Sequence, residues 1–327
     1  MSETRKGPGL QVVFGTGPIG TATARELLRR GLSVRMVSRS GRLPPLIGGA
    51  GVEGRTVDAF DREAVLAATE GATHIYHCLN VPYQDWYRDL APLQENLLAA
   101  AREHGAVLGL AENLYMYKRG VPVITEETPE EAPTRKGRLR RELHDALARE
   151  AAQSGVRWAA VRASDYYGPG AGLQSVAFGS VRFLDPLFAG KRPAMIGDPD
   201  VPHTYTYSFD YGRALATATL DPAAHGKAWI VPNDRTLTTR EVAALFFKEA
   251  GIETTLSVLP RFALTAYGLF NPVVRELGEM LYQREEPYVV EGSLFATRFG
   301  FVPTRLEDGI AETIRWYTAT REPRKVA

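Results

Sequence analysis

A doubly wound α/β fold, a parallel sheet with helices on both faces followed by a smaller mixed α/β region, is predicted from three observations. Strand-length apolar runs alternate with helix-like segments through the first half of the chain. A cluster of three glycines stands between the first strand-like run and the first helix-like one. Beyond about residue 165 the alternation gives way to shorter, mixed segments suited to capping a pocket.

Residues 10–40 read as a strand, a glycine turn, a helix and a second strand ending at Arg39. The run Val12, Val13, Phe14 leads straight into Gly15-Thr16-Gly17-Pro18-Ile19-Gly20, a G-x-G-x-x-G spacing that turns the backbone tightly and lets a pyrophosphate approach it. Pro18 suits a first helical turn, and Gly31 closes the helix after Arg29 and Arg30. The helix amino terminus then faces the phosphates, and the fold is of the Rossmann type. At the end of the second strand a carboxylate would accept from a ribose 2′-hydroxyl, whereas a cation would pair with a 2′-phosphate. Ser38, Arg39 and Ser40 stand there, with no acid and a planar guanidinium between two hydroxyls. NADP(H) is therefore expected over NAD(H).

Further along, residues 51–57 form a strand leading to Asp58 and Ala59, and residues 61–68 a helix capped by Asp61. Residues 73–79 are the next strand, residues 84–104 carry helical spacing, and residues 106–110 are a fifth strand. Residues 139–154 make a long helix ended by Gly155, and residues 156–161 a sixth, buried strand. Thr238 and Glu241 form a capping box for a helix that Gly251 ends after Ala250. Residues 8–165 are expected to form the NAD(P)-binding domain. Residues 166–327 are expected to be mainly a substrate or lid region, with some segments returning to the sheet.

Composition narrows the class. A formal charge of +1 argues against binding nucleic acid through overall basicity. The basic run Arg135, Lys136, Arg138, Arg140 and Arg141 is preceded by Glu126, Glu127, Glu130 and Glu131 without interleaved aromatics, so it reads as local charge neutralisation or as cations that hold a substrate phosphate or carboxylate beside the cofactor. A single cysteine, Cys78, rules out an internal disulfide and reads as a buried core thiol. No run of about 18 uncharged apolar residues occurs, so a cytoplasmic protein without a membrane segment is expected. A small molecule is the expected partner.

These landmarks resemble the extended short-chain dehydrogenase/reductase superfamily, which includes nucleotide-sugar epimerases and dehydratases, and the resemblance runs nearly end to end. FGTGPIG resembles its glycine loop, with Phe14 at the family's first glycine. Asp58 in TVDAFD falls where the family contacts adenine, and Leu79-Asn80-Val81 where it wraps the cofactor ribose. ITEETPEEAP, VRASDYYGPG, HTYTYSFDYGRAL and the closing RFGFVPTRLEDGIAETIRWY match further family segments.

At the catalytic positions this chain departs. The resemblance implies a Ser or Thr after the fifth strand and a Tyr-x-x-x-Lys pair opening the next helix, the phenol passing a proton and the ammonium lowering its pKa. Those positions fall here on Asn113, Thr134 and Arg138. A threonine hydroxyl is too weak an acid to replace the phenol, while Arg138 can still hold the ribose as a fixed cation. Tyr115, Tyr117 and Lys118 are the nearest titratable groups that can be recruited, or the tyrosines simply pack. Tyr166 and Tyr167 either line the pocket near the nicotinamide or pack beneath the sheet edge.

Other candidates carry less. His74 and His77 lie three apart on a strand and point to opposite faces, which disfavours a shared metal, and no metal site is expected. His144, followed by Asp145, reads as part of a solvated helix face. His203 shares one face of an alternating strand with Tyr205 and Tyr207 and is a candidate substrate contact. Residues 260–282, with Phe262, Leu264, Tyr267, Leu269 and Phe270, suit a lid wall or core, and leave a homodimer surface open. Three functions follow in order: an NADP(H)-dependent oxidoreductase acting on a carbonyl or conjugated alkene of a small metabolite; an epimerase, dehydratase or isomerase that retains its cofactor; and a non-catalytic NADP-binding sensor.

Overall fold

The computed structural model describes residues 9–48, 51–172, 177–259, 276 and 278–321. Seven parallel strands form the central sheet. In chain order they and their helices begin β1 (Leu10–Phe14), α1 (Pro18–Arg29), β2 (Val34–Ser38), β3 (Val52–Thr56), α2 (Arg62–Ala68) and β4 (Ala72–His77). There follow α3 (Trp86–His104), β5 (Val107–Asn113), α4 (Arg135–Ser154) and β6 (Trp158–Ala163). The strand Lys227–Ile230 completes the sheet at the edge beyond β6, giving the order Lys227–Ile230, β6, β5, β4, β1, β2, β3. The order reverses between β1 and β4, so a crevice opens at their carboxyl ends, where ligands of such sheets bind.

Two cores hold the layers. On one face α2, α3 and α4 bury Val65, Leu97 and Leu147 against β1, β4 and β5. On the other, α1 and the helix Ser208–Leu220 pack Leu27 and Leu215 against Val13, Tyr76 and Val161. These two helices touch so closely that a side chain at Gly212 would meet Ala22 at 2.4 Å. The third core joins Phe178, Phe183 and Phe246 to the closing helix Leu306–Thr320. The capping box at Thr238 and Glu241 forms, opening the helix Thr239–Ala250.

Several elements differ from expectation. β5 runs three residues further, to Asn113, which carries Glu112 and Asn113 to the sheet's carboxyl edge. α4 starts a turn earlier, because the Thr134 hydroxyl accepts the Gly137 amide and caps it. His203 lies on no long alternating strand: Pro202–His203 pairs with Leu237–Thr238, Thr206–Tyr207 pairs with Tyr166–Tyr167, and residues 203–208 are buried on both faces. His144 is not solvated; its Nδ1 lies 3.0 Å from Glu112 Oε1. Most of residues 260–282 lie outside the described residues. Among the described residues no helix is long and apolar enough to cross a membrane.

Candidate active site

A groove of about 450 Å³ runs over the carboxyl ends of β1, β2 and β4 and is continuous with a cavity of about 180 Å³ over β5 and β6. Gly17, Cys78, Leu79 and Asn80 line both. The groove is built by the glycine loop. Gly15 adopts φ +108°, and a side chain there would lie 2.6 Å from the Cys78 carbonyl oxygen. Gly17 caps α1 without any side-chain hydrogen bond, leaving first-turn amides open toward the groove. Further along it lie Ser38, Arg39, Asp58 and Ala59, with Val81 at the β4 side. The Asp58 carboxylate accepts the Phe60 amide at 3.1 Å. Pro18 and Ile19 stand at the cavity end of the loop. Cys78 packs against the core as expected and also borders the junction, where burial pushes its thiol up to about 12.

The cavity draws its chemistry from four strand ends. Tyr115, just after β5, meets Tyr83, just after β4, through their hydroxyls at 2.5 Å. Trp86 stacks on both rings, with centroids 4.7 and 5.9 Å away. Burial raises both phenols, Tyr115 well above the ordinary value, so each is a neutral hydrogen-bond donor at neutral pH. Arg140 of α4 stacks on Trp86 at 4.1 Å and donates to Asn80 Oδ1 at 3.3 Å. It forms no ion pair among the described residues, its Nε is buried without a partner there, and burial lowers its pKa.

Two carboxylates line the same cavity, each neutralised from behind. Burial works to raise Glu112, but His144 and Arg162 outweigh it and hold the carboxyl at about 2. Burial works equally against ionised Asp165, yet Arg284 at 2.6 Å, with His203 Nε2 at 3.1 Å, holds it below the ordinary carboxylate range. The Ser164 hydroxyl, buried beside Asp165, has no partner among the described residues. Polar groups, a charged wall and a helix terminus thus converge where the sheet order reverses, and the donors present fit a dinucleotide in the groove with its reactive end in the cavity.

Of the residues expected from sequence, Asn113, Tyr115 and Tyr166 line the cavity. Tyr117 does not; its hydroxyl accepts from Arg162 Nη1 at 2.9 Å in a separate core. Thr134 is the α4 cap, Arg138 is exposed, and neither lines the cavity. Tyr167 packs against Phe246 away from the cavity. His203 stands one residue removed, holding Asp165 while its Nδ1 faces the Gln283 carbonyl at 2.9 Å. Sequence reasoning missed Tyr83 and Asp165, and reached Arg140 only as one of five cations in the basic run, without separating it from its neighbours. A signal for Arg140 existed: the buried stripe Leu143, Leu147, Ala151 on α4 extends backward through Arg140 to Lys136, not through Arg138.

The profile of the NAD dependent epimerase/dehydratase family matches residues 12–231. Among solved structures, the chain is similar to a UDP-glucose 4-epimerase from Thermus thermophilus in complex with NAD (TM-score 0.73, 20% identity, 95% of this chain and 100% of that one). It is similar also to a dTDP-glucose 4,6-dehydratase from Streptomyces venezuelae with NAD bound (TM-score 0.75, 18% identity, 95% and 98%). A third is a UDP-glucuronic acid 4-epimerase from Bacillus cereus in complex with NAD (TM-score 0.77, 15% identity, 97% and 100%). At such identities the likeness is one of fold. No curated protein matches the sequence.

These complexes correct the expected preference for NADP(H) over NAD(H), since each holds NAD. The local geometry gives a reason. The Ser38 and Ser40 hydroxyls close their own turn, accepting the Gly41 and Arg42 amides at 3.1 and 3.3 Å, and Arg39 is exposed. No cradle for a 2′-phosphate is assembled from these three residues.

Proposed function

The chain belongs to the NAD dependent epimerase/dehydratase family, a family of enzymes, and from that premise we propose that it interconverts a hydroxyl and a carbonyl on a small molecule using NAD(H). The observation that carries this reading is the Tyr83–Tyr115 hydroxyl pair, 2.5 Å across, in the cavity that continues the dinucleotide groove. Residues 8–165 hold the cofactor, and residues 166–327 mainly enclose the substrate, with the helix Ser208–Leu220 and the strand Lys227–Ile230 returning to the sheet.

When bound, NAD(H) supplies or accepts the hydride. The protein's part is proton handling and orientation. Burial keeps the Tyr115 phenol protonated but makes it a weaker acid than a free tyrosine, so Tyr115 donates a hydrogen bond to the oxygen of a carbonyl and yields its proton only as that oxygen gains negative charge. Tyr83, hydrogen-bonded behind it, donates in turn and keeps the negative charge spread over two oxygens. Arg140, a half-buried cation without a carboxylate partner among the described residues, favours that charge and stands beside Asn80, where the resemblance places the cofactor ribose. Asp165 and Ser164 offer the substrate an acceptor and a hydroxyl on the opposite strand end.

The test is turnover of NAD(H) with a panel of secondary alcohols and carbonyls, comparing the wild type with Tyr115→Phe. Loss of turnover in the variant with unchanged NADH affinity supports the reading; equal turnover overturns it. The epimerase and dehydratase neighbours favour a second reading, in which the same groups act while the nicotinamide is retained and recycled. Nicotinamide released only on denaturing the purified protein, without net oxidation or reduction, would favour it.

A further inference from the structure

We propose that Lys136 is a positioning residue, which holds Tyr83 against Tyr115 and couples that contact to the segment 278–285 roofing the cavity. The inference rests on the reading of Tyr83 and Tyr115 as the proton path. Lys136 is fully buried, a rare state for a lysine and one that requires partners. Its ammonium pairs with Glu276 and, at 3.1 Å, with Glu279. It also faces the rings of Tyr83 and Tyr87, 5.6 Å from each centroid.

The position follows from the helix. Thr134 caps α4, so Lys136 falls in the first turn, one turn before Arg140, and residues four apart share a face. Gly137 lets that turn lie against the chain at Tyr115, since a side chain there would stand 2.2 Å from the Tyr115 carbonyl oxygen. One helix face therefore sets two cations on one aromatic stack, Lys136 against Tyr83 and Arg140 against Trp86. Replacing a buried ion pair by apolar residues of similar size is often neutral for stability. Its retention here is explained by geometry: without the ammonium the Tyr83 ring has Trp86 as its only stacking partner among the described residues.

The same turn fastens the roof. The Thr134 hydroxyl donates to Met280 Sδ at 3.5 Å, and the Arg135 amide donates to Glu279 Oε2 at 3.1 Å. The roof carries Gln283 to the cavity wall and Arg284 onto Asp165 at 2.6 Å. It is thus tied at one end to Asp165 and at the other to the ammonium that faces Tyr83. Closure of the roof and alignment of the phenol pair share one residue.

The test needs no substrate. Tyrosinate absorbance is followed against pH in the full-length wild type, Lys136→Met, Lys136→Arg and Lys136→Met combined with Tyr83→Phe. Loss of the ammonium alone would make a phenol harder to ionise, so the signature of lost positioning is the opposite one. Tyr83 in Lys136→Met should leave its buried place against Tyr115 and ionise near the ordinary value of about 10, instead of at the value that burial raises in the wild type. Lys136→Arg, which restores the cation, should not gain this extra ordinary tyrosine, and the combined variant should lose it. A folded Lys136→Met with the wild-type titration curve overturns the proposal. Should Lys136→Met fail to fold, Glu276→Gln with Glu279→Gln releases the same ammonium; the extra tyrosine is again expected, and an unchanged curve again overturns the proposal. If the extra tyrosine appears while Tyr115→Phe turns over normally, Lys136 keeps its positioning role and the proton-path reading falls.

Discussion

Gly20→Ala should weaken NADH binding by about 10- to 150-fold while the protein stays folded. Taken as a helix residue alone, alanine at this position should help, by roughly 1 kcal/mol. The structure reverses the sign for binding. An added Cβ would stand 2.0 Å from the Gly15 carbonyl oxygen and 2.9 Å from its carbon. A carbon and a carbonyl oxygen approach to about 3.3 Å, so the glycine loop has to yield by more than about 1 Å. The amides of that loop and of the open α1 terminus are the groups that would meet the pyrophosphate in the proposed cofactor site. Losing one hydrogen bond to a charged group costs roughly 1.5–3 kcal/mol, which gives the stated range. The assay is a nicotinamide-fluorescence titration of nucleotide-stripped protein. Gly31→Ala is the control: it has φ +74° at the far end of α1 with nothing within 4 Å of its added Cβ, so it strains the backbone without touching the loop. If Gly20→Ala bound NADH within about twofold of wild type, the pyrophosphate would not rest on this loop, and the argument from the glycines would fail.

Three further outcomes follow. Tyr115→Phe should lower kcat by about 10²- to 10⁴-fold with little change in NADH affinity, as expected for a lost proton donor, and is read by steady-state kinetics with separate binding titrations. Arg140→Met should lower kcat on the order of 10²-fold, whereas Arg138→Met, an exposed position, should change it little. Glu112 sets an acid limit on stability. Its folded value of about 2, against roughly 4.3 for an unfolded glutamate, corresponds to about 3 kcal/mol. Because the folded value is depressed, that stability is present above about pH 4 and is lost as pH falls toward 2. Thermal melts of wild type and Glu112→Gln should therefore differ most at neutral pH and converge in acid; a gap independent of pH would refute the assignment.

What the sequence discloses about this fold is local. The β1–α1–β2 unit is legible because its strand, glycine turn and helix are contiguous and each has its own chemical signal. The groove is legible for the same reason, since Gly15, Asp58 and Asn80 each stand within three residues of a strand's end. The proton path is not contiguous. Tyr83 and Tyr115 lie 32 positions apart and meet only because β4 and β5 are parallel neighbours, with His77 opposite Leu110. No local pattern marks Tyr83, which sits in a short turn before α3. Arg140 was obscured differently: counting against the family pattern lands on Thr134 and Arg138, whereas the cap at Thr134 turns Lys136 and Arg140 inward. The cofactor preference misled because Arg39 was weighed by residue type, while the hydrogen bonds of Ser38 and Ser40 depend on a turn visible only in three dimensions.

The central claim is that hydride transfer in the cavity is completed by a proton from the Tyr83–Tyr115 pair. The most direct measurement is transfer of deuterium from reduced, deuterium-labelled NADH to a panel of carbonyl compounds, comparing wild type with a Tyr83→Phe, Tyr115→Phe double variant of equal NADH affinity. The account predicts deuterium on the carbinol carbon with wild type, and a rate lower by at least about 10²-fold with the double variant. Label transfer at equal rates by both proteins would contradict it.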